Sequence, residues 1–180
     1  MTPNPVLLVH GFASSFQLNW QESGLSYLLE DAGREVIGVD LLGHGAAPRP
    51  HEPEAYKDLG ARVVDALPDE GKVDAVGFSM GARTLIDVAS AHPERFDRLV
   101  FAGVGENLFA EGGDKESIAR AIEFGDGGPG GIAALFVSFA NGSGNDPKAL
   151  AACMRRDESP VTEAQLQRIT NPALVVIGDK

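Results

Sequence analysis

The chain has 180 residues, 43% of them hydrophobic, and a formal net charge of −11 at pH 7. This length is enough for one domain with a full hydrophobic core, and too short for two ordinary domains. The negative charge and the lack of a Lys/Arg cluster argue against a nucleic-acid partner. Apolar runs are only a few residues long, so we expect no transmembrane helix and no membrane partner.

The N-terminus and the single cysteine both bear on the compartment. Met1, Thr2 and Pro3 lead directly into a predicted strand, so no signal peptide is expected. Cys153 lies in a predicted helix and cannot form an internal disulfide. We therefore expect a cytoplasmic protein.

Short apolar runs alternate with helical patterns over residues 1–105. The apolar runs lack polar alternation, which is typical of a parallel sheet covered by helices on both faces. The sequence therefore predicts a doubly wound α/β fold with a mainly parallel sheet. Strands are predicted at 5–10, 35–40, 72–78 and 98–103, and helices at 25–32, 56–67 and 82–92.

Residues 106–171 show a different pattern, in which helices are separated by glycine-rich loops. Asp146 followed by Pro147 predicts a capped helix start, and Thr162 with Gln165 matches a capping box. We interpret this region as a helical cap inserted into the 1–105 core. Residues 172–180 then return to the core with a fifth buried strand, which gives a sheet of about five strands in one domain.

Gly77-Phe78-Ser79-Met80-Gly81 lies between the predicted strand at 72–78 and the helix that follows. A sharp strand-to-helix turn holds its central residue in a strained conformation and exposes the side chain. Glycine two residues to either side gives such a turn the room it needs. This context predicts that Ser79 is a catalytic nucleophile rather than an ordinary turn serine.

Nucleophilic attack by Ser79 on a carbonyl requires hydrogen-bond donors for the oxyanion. The Met80 N–H, at the start of a helix, is one candidate because free N–H groups and the helix dipole favour negative charge there. The Phe12 N–H is the other. It lies in the loop after the first strand, where Gly11 allows a sharp turn.

The ordered set His10-Gly11-Phe12, Asp40-Leu41-Leu42-Gly43-His44-Gly45 and Gly77-Phe78-Ser79-Met80-Gly81 resembles the α/β-hydrolase superfamily. The branch it resembles contains single-domain esterases, lactonases and cofactor-free haloperoxidases. The resemblance implies that the strand before Ser79 is central and that 106–171 covers a pocket. It implies attack on a small ester, lactone or thioester through an acyl-enzyme on Ser79, with the oxyanion held by Phe12 and Met80. Carbon–carbon bond hydrolysis and cyanohydrin cleavage are rarer reactions of serine relatives and stay open.

The resemblance also implies a catalytic acid at the third residue past Gly178, whereas Lys180 is the last residue here. Asp179 lies two residues early in that register. Glu106 lies where some relatives carry the acid. The acid is therefore expected beyond residue 180, with Glu106 and Asp179 as weaker alternatives.

The histidine that would activate Ser79 is implied to follow the acid, yet all four histidines come at or before residue 92. None is placed as a good general base, although His44 stays open as a substitute. We therefore expect this chain to be weakly active or inactive alone. The alternatives are a non-catalytic protein that binds a small ligand, a truncated remnant, or acyl transfer to an acceptor other than water.

No cluster of His, Cys or carboxylate residues has the spacing of metal ligands, and no cofactor is implied. The expected partner is a small acyl substrate. Aromatic residues are the candidates for an apolar pocket wall, although many such residues belong to the core. They are Phe12, Phe16, Trp20, Phe109, Phe136 and Phe139.

Overall fold

The computed structural model describes residues 3–110 and 113–178 and contains a five-stranded parallel sheet of order β2-β1-β3-β4-β5. Every neighbouring pair of strands is parallel, so the predicted α/β fold is confirmed. The strand that leads to Ser79 is the central one. The strands are β1 Val6–Val9, β2 Val36–Val39, β3 Val73–Phe78, β4 Phe96–Ala102 and β5 Ala173–Val176.

Helices connect the strands and fill the region between β4 and β5. The α-helices are α1 Leu25–Asp31, α2 Ala61–Asp65, α3 Met80–Ala91, α4 Lys115–Phe124, α5 Gly131–Gly142, α6 Pro147–Arg155 and α7 Glu163–Arg168. A π-helical turn at Gln17–Gln21 was not predicted. Short 3-10 helices lie at Pro53–Tyr56, Pro93–Arg95 and Glu106–Phe109.

The helix predicted over 56–67 is shorter in the structure. Its first part is the 3-10 turn that ends at Tyr56, and α2 begins only at Ala61. The Asp58 carboxylate accepts a hydrogen bond from the Ala61 N–H at 3.0 Å. This side-chain bond starts the helix locally and separates it from the turn before it.

Both faces of the sheet are buried at its centre, as β1 shows most clearly. Leu7 and Val9 belong to the main core, which lies against α3. Val6 and Leu8 point to the opposite face, where they pack with Trp20. Alternate residues of one strand therefore contribute to two separate cores, as a doubly wound sheet requires.

Helices α4, α5 and α6 pack on one another and form a small core of their own next to the loop after β1. The predicted helix starts are confirmed: the Asp146 side chain accepts from the Lys148 N–H, and Thr162 forms a capping box with Gln165. These helices carry apolar side chains to the region above the end of β3. The limits of the predicted cap, 106–171, stay a prediction.

The edge strand β5 differs from expectation. Its apolar composition predicts a buried strand, but Leu174, Val175 and Val176 are exposed. It lies at the edge of the sheet and pairs with β4 alone, and its side chains on both faces lack a covering helix among the described residues. Within the described residues, no helix combines the length and the apolar character needed to cross a bilayer.

Candidate active site

Ser79 occupies a strained turn between β3 and α3. Its backbone has φ 52° and ψ −114°, a region that residues with a side chain rarely adopt. The Ser79 N–H donates to the Ala102 oxygen of β4 at 2.8 Å, and its carbonyl accepts from the Arg83 N–H at 3.0 Å. Such a conformation costs about 1–3 kcal/mol and persists only where its surroundings enforce it.

The two glycines of the motif are needed because backbone segments approach closely. A Cβ on Gly77 would lie 2.6 Å from the Ala82 Cα. A Cβ on Gly81 would lie 2.4 Å from the carbonyl oxygens of Val9 and His10. Alanine at either position would therefore push the turn away from the sheet.

Two cavities meet at Ser79. The first, of about 220 Å³, is called here the charged cavity, and the second, of about 560 Å³, the apolar cavity. Ser79, Phe12 and Phe136 line both cavities. The wall of the charged cavity also includes Met80, Arg83, Lys115, Arg156 and Glu158, and that of the apolar cavity includes Leu18, Phe78 and Phe139.

Phe12 and Met80, the predicted oxyanion donors, line the charged cavity together with Ser79. Met80 is the first residue of α3, and Phe12 follows Gly11 in the loop after β1. Gly11 is fixed by a hydrogen bond from its N–H to the Asn19 side chain at 3.0 Å. Within the described residues, we find no hydrogen-bond acceptor for the N–H of Phe12 or of Met80. Both donors are thus available to a ligand, and their role in holding an oxyanion stays a proposal.

His10 and His44 are fully buried below the Phe12 loop, with ring centroids 5.2 Å apart. His10 Nε2 accepts from the Leu41 N–H at 3.0 Å, so Nδ1 donates to the Gly11 oxygen at 2.7 Å. Burial lowers the pKa of His10. Both of its ring nitrogens are occupied, which makes His10 a structural residue.

The His44 ring hydrogen-bonds through Nδ1 to the Leu42 oxygen at 2.9 Å. Its Nε2 is buried and has no hydrogen-bond partner among the described residues. Burial, followed by the neighbouring His10, lowers the pKa of His44 to about 3. His44 lines neither cavity at Ser79. The position of His44 therefore does not favour a role as a substitute base for Ser79.

The other two histidines and the candidate acids also lie elsewhere. The His51 Nε2 contacts the Asp146 carboxylate at 2.7 Å on the surface, and His92 is an exposed residue after α3. Glu106 is exposed and lines neither cavity at Ser79. Asp179 lies outside the described residues.

Four charged residues of the charged cavity were missed by sequence reasoning. Arg156 bonds to Glu158, and Lys115 contacts the same carboxylate at 3.4 Å. Arg83 lies one turn after Ser79 on α3. Burial raises the pKa of Glu158, but Arg156 and then Lys115 outweigh that effect and lower it overall. Glu158 is therefore a weak base.

The predicted aromatic pocket is half right. Phe12, Phe136 and Phe139 line the apolar cavity, and Phe12 contacts Phe136 edge-on at 5.6 Å. Phe16 and Trp20 instead pack on the far face of the sheet, where a ring stacks over the backbone of Gly38. The remaining candidate, Phe109, is exposed and lines neither cavity at Ser79. No group of His, Cys, Asp and Glu suited to a metal occurs among the residues described.

A model of the α/β hydrolase fold family matches residues 4–126, which include β1 to β4 and the whole turn at Ser79. The chain belongs to the α/β-hydrolase family. It is 33% identical over 127 residues to a Bacillus subtilis (strain 168) protein provisionally named 2-succinyl-6-hydroxy-2,4-cyclohexadiene-1-carboxylate synthase. That alignment covers 67% of this chain and 44% of the Bacillus protein. It is also 33% identical over 103 residues to a 2-hydroxymuconate semialdehyde hydrolase of Pseudomonas sp. (strain CF600), and that alignment covers 55% of this chain and 36% of the hydrolase.

Among solved structures, the bromoperoxidase from Bacillus anthracis shares the fold with a TM-score of 0.69 at 22% identity. That match covers 99% of this chain and 74% of the bromoperoxidase. Among the relatives of this chain is thus at least one named hydrolase, the Pseudomonas protein described above. The chain spans less than half the length of the two curated relatives above.

Proposed function

We propose that this α/β hydrolase cleaves a small ester, lactone or thioester through an acyl-enzyme on Ser79. The observation that carries the proposal is the enforced positive φ of Ser79 at the junction of the two cavities. The proposed partner is a small acyl compound. The proposed compartment is the reducing cytoplasm, which suits the buried free thiol of Cys153.

In the proposed reaction, the Ser79 hydroxyl oxygen attacks the carbonyl carbon, and its proton passes through a base to the leaving alcohol or thiol. The N–H groups of Phe12 and Met80 stabilise the oxyanion while the bond to the leaving group breaks. Water then attacks the acyl-serine ester, which releases the carboxylic acid and restores the hydroxyl. Only the nucleophile and the oxyanion donors are assigned here to residues of this chain.

Activation of Ser79 is the limiting step of this proposal. All four histidines lie away from the two cavities at Ser79. In a serine triad, loss of the histidine costs about 10⁶-fold in turnover. We therefore expect the 180-residue chain to hydrolyse esters slowly or not at all.

The placement of the histidines also favours a second candidate, a non-catalytic α/β-hydrolase-fold protein that binds a small ligand at the same cavities. This candidate needs the cavities but no activated serine. The two candidates differ in the nucleophilicity of Ser79, which a covalent probe reports.

The test is labelling by a fluorophosphonate probe, read by intact mass, together with hydrolysis of p-nitrophenyl acetate. Variants are Ser79→Ala and, as a matched control, Ser117→Ala, which alters an exposed serine on α4. Labelling of the unaltered chain and of the control, but not of Ser79→Ala, would support the nucleophile. No labelling of a folded chain would favour the ligand-binding candidate. A turnover rate that depends on Ser79 and lies within tenfold of that of an α/β hydrolase with a catalytic histidine would contradict the absence of a base.

A further inference from the structure

The walls of the charged cavity carry more positive than negative charge, although the chain as a whole has a formal net charge of −11. Three cations, Arg83, Lys115 and Arg156, line it, against a single carboxylate, Glu158. A cleft lined mainly by one sign of charge concentrates its field on a bound ion of the opposite sign. This cleft lies directly beside Ser79.

Two of these cations share one counter-ion. Glu158 contacts both Lys115, at 3.4 Å, and Arg156. The Arg156 side chain is only 9% exposed, and its Nη1 also donates to the Cys153 oxygen at 2.8 Å. A guanidinium has five N–H donors, so these contacts leave donors for a further acceptor.

Arg83 adds a third positive charge whose partner lies outside the cavity. Its acidic contact is Asp87, one turn along α3, which does not line the charged cavity. Its Nη2 donates to the Ser159 oxygen at 2.8 Å, which holds the guanidinium over the cavity wall. The three cations and the two carboxylates that they contact therefore carry one excess positive charge, which a bound anion would offset.

The apolar cavity differs from the charged cavity in its charge, since both cavities have apolar walls and share Phe12 and Phe136. No charged residue lines it, and its walls include the rings of Phe12, Phe78, Phe136 and Phe139. Helix α5, Gly131–Gly142, which supplies part of this wall, contains no charged residue at all.

We infer that the substrate class of this site is an acyl compound with an anionic group on one side of the scissile carbonyl and a hydrocarbon group on the other. The inference rests on the proposed function of Ser79, which lies where the charged and apolar cavities meet. At about 220 Å³ the charged cavity is below the usual size of a ligand pocket, roughly 300–1,000 Å³. It therefore suits a carboxylate on a short chain, while the apolar cavity of about 560 Å³ takes the larger part.

The test measures binding of monohexyl glutarate and of its neutral counterpart, hexyl methyl glutarate, by ligand-observed NMR titration. Binding is measured on the full chain with Ser79→Ala, so that no ester is cleaved. We expect the monoanion to bind about tenfold more tightly than the neutral diester, because charge-assisted hydrogen bonds are the stronger ones. Monomethyl glutarate should bind more weakly than monohexyl glutarate.

Lys115→Met should remove most of the preference for the monoanion and leave binding of the neutral diester unchanged. Lys148→Met is the matched control, because it removes the same charge from an exposed position on α6 outside both cavities. Arg83→Met is the second variant, to be used if Lys115→Met is shown by thermal melting to be unfolded. Added salt should weaken binding of the monoanion alone.

Equal affinity for the monoanion and the diester would overturn the inference, and so would an equal loss in the Lys115 and Lys148 variants. Neither result depends on the reactivity of Ser79. The proposed function fails separately, if the folded chain is not labelled by the fluorophosphonate probe.

Discussion

Replacing Gly81 with alanine tests how closely the turn at Ser79 is packed against the sheet. The added Cβ would lie 2.4 Å from the carbonyl oxygens of Val9 and His10, whereas ordinary contact begins at 3.4 Å. Because those oxygens are backbone atoms, no side-chain rotation relieves the overlap. The end of β1 and the start of α3 must therefore separate by roughly 1 Å.

Overpacking of this kind costs about 1–3 kcal/mol, and the contact distance places Gly81→Ala at the upper end. Alanine is the better helix former by about 1 kcal/mol, which offsets part of the cost. We expect the free energy of unfolding to fall by about 2 kcal/mol, measured by urea denaturation. Because Phe12 and Met80 lie on the two segments that separate, any labelling of Ser79 should fall as well.

Gly142→Ala is the matched control, since it makes the same change within a helix, α5, where an added Cβ meets nothing within 4 Å. It should leave stability unchanged or raise it by up to about 1 kcal/mol. If Gly81→Ala is as stable as Gly142→Ala, the close approach of α3 to β1 is not the reason for glycine at position 81.

Two further predictions concern buried polar groups near the site. The folded pKa of His44 is about 3 against an ordinary value of 6.5, so its contribution to stability is present above pH 6.5 and is lost as the pH falls toward 3. At pH 5 the free energy of unfolding should be lower by about 2 kcal/mol, at 1.36 kcal/mol per pH unit below 6.5. The urea midpoints measured at pH 7.5 and at pH 5 should therefore differ less in His44→Gln than in the unaltered chain. An unchanged difference would contradict the assignment of this pH dependence to His44. Asn145 accepts from the Gly45 N–H at 2.8 Å and donates to the Ser14 oxygen at 3.0 Å. Asn145→Ala should therefore cost about 1–3 kcal/mol, whereas Asn141→Ala, at an exposed position, should cost little in the same assay.

The parts of the fold that the sequence predicts well are those set by local patterns. All five strands were predicted within three residues at each end, because continuous apolar runs bounded by polar residues are typical of buried parallel strands. The helix starts at Asp146 and Thr162 were also predicted, since a cap depends on residues only two or three positions apart. The exposure of β5 was not predicted, because burial of a strand depends on its neighbours in space.

The same distinction separates the two halves of the site. The turn at Ser79 is a local motif, so five consecutive residues and their flanking elements are enough to predict it. The charged cavity combines Arg83, Lys115, Arg156 and Glu158, which span 76 positions and meet only because α4 packs against α6 near the start of α3. No spacing rule connects such residues. The nearby opposite charges of Arg156 and Glu158 were the only sequence feature that could have indicated this cavity, and pairs of exposed charges on a protein surface show the same spacing.

The geometry of Ser79 and its activation are separate properties of this site. Its backbone is fixed by the hydrogen bonds to Ala102 and from Arg83, and by the contacts that require Gly77 and Gly81. None of these contacts involves a histidine side chain or a catalytic acid. The strained conformation therefore persists whichever group accepts the serine proton. A folded chain that is not labelled would consequently show that Ser79 is not activated, which contradicts the proposed hydrolysis without implying a collapsed turn. The selectivity of the two cavities could still be measured on such a chain.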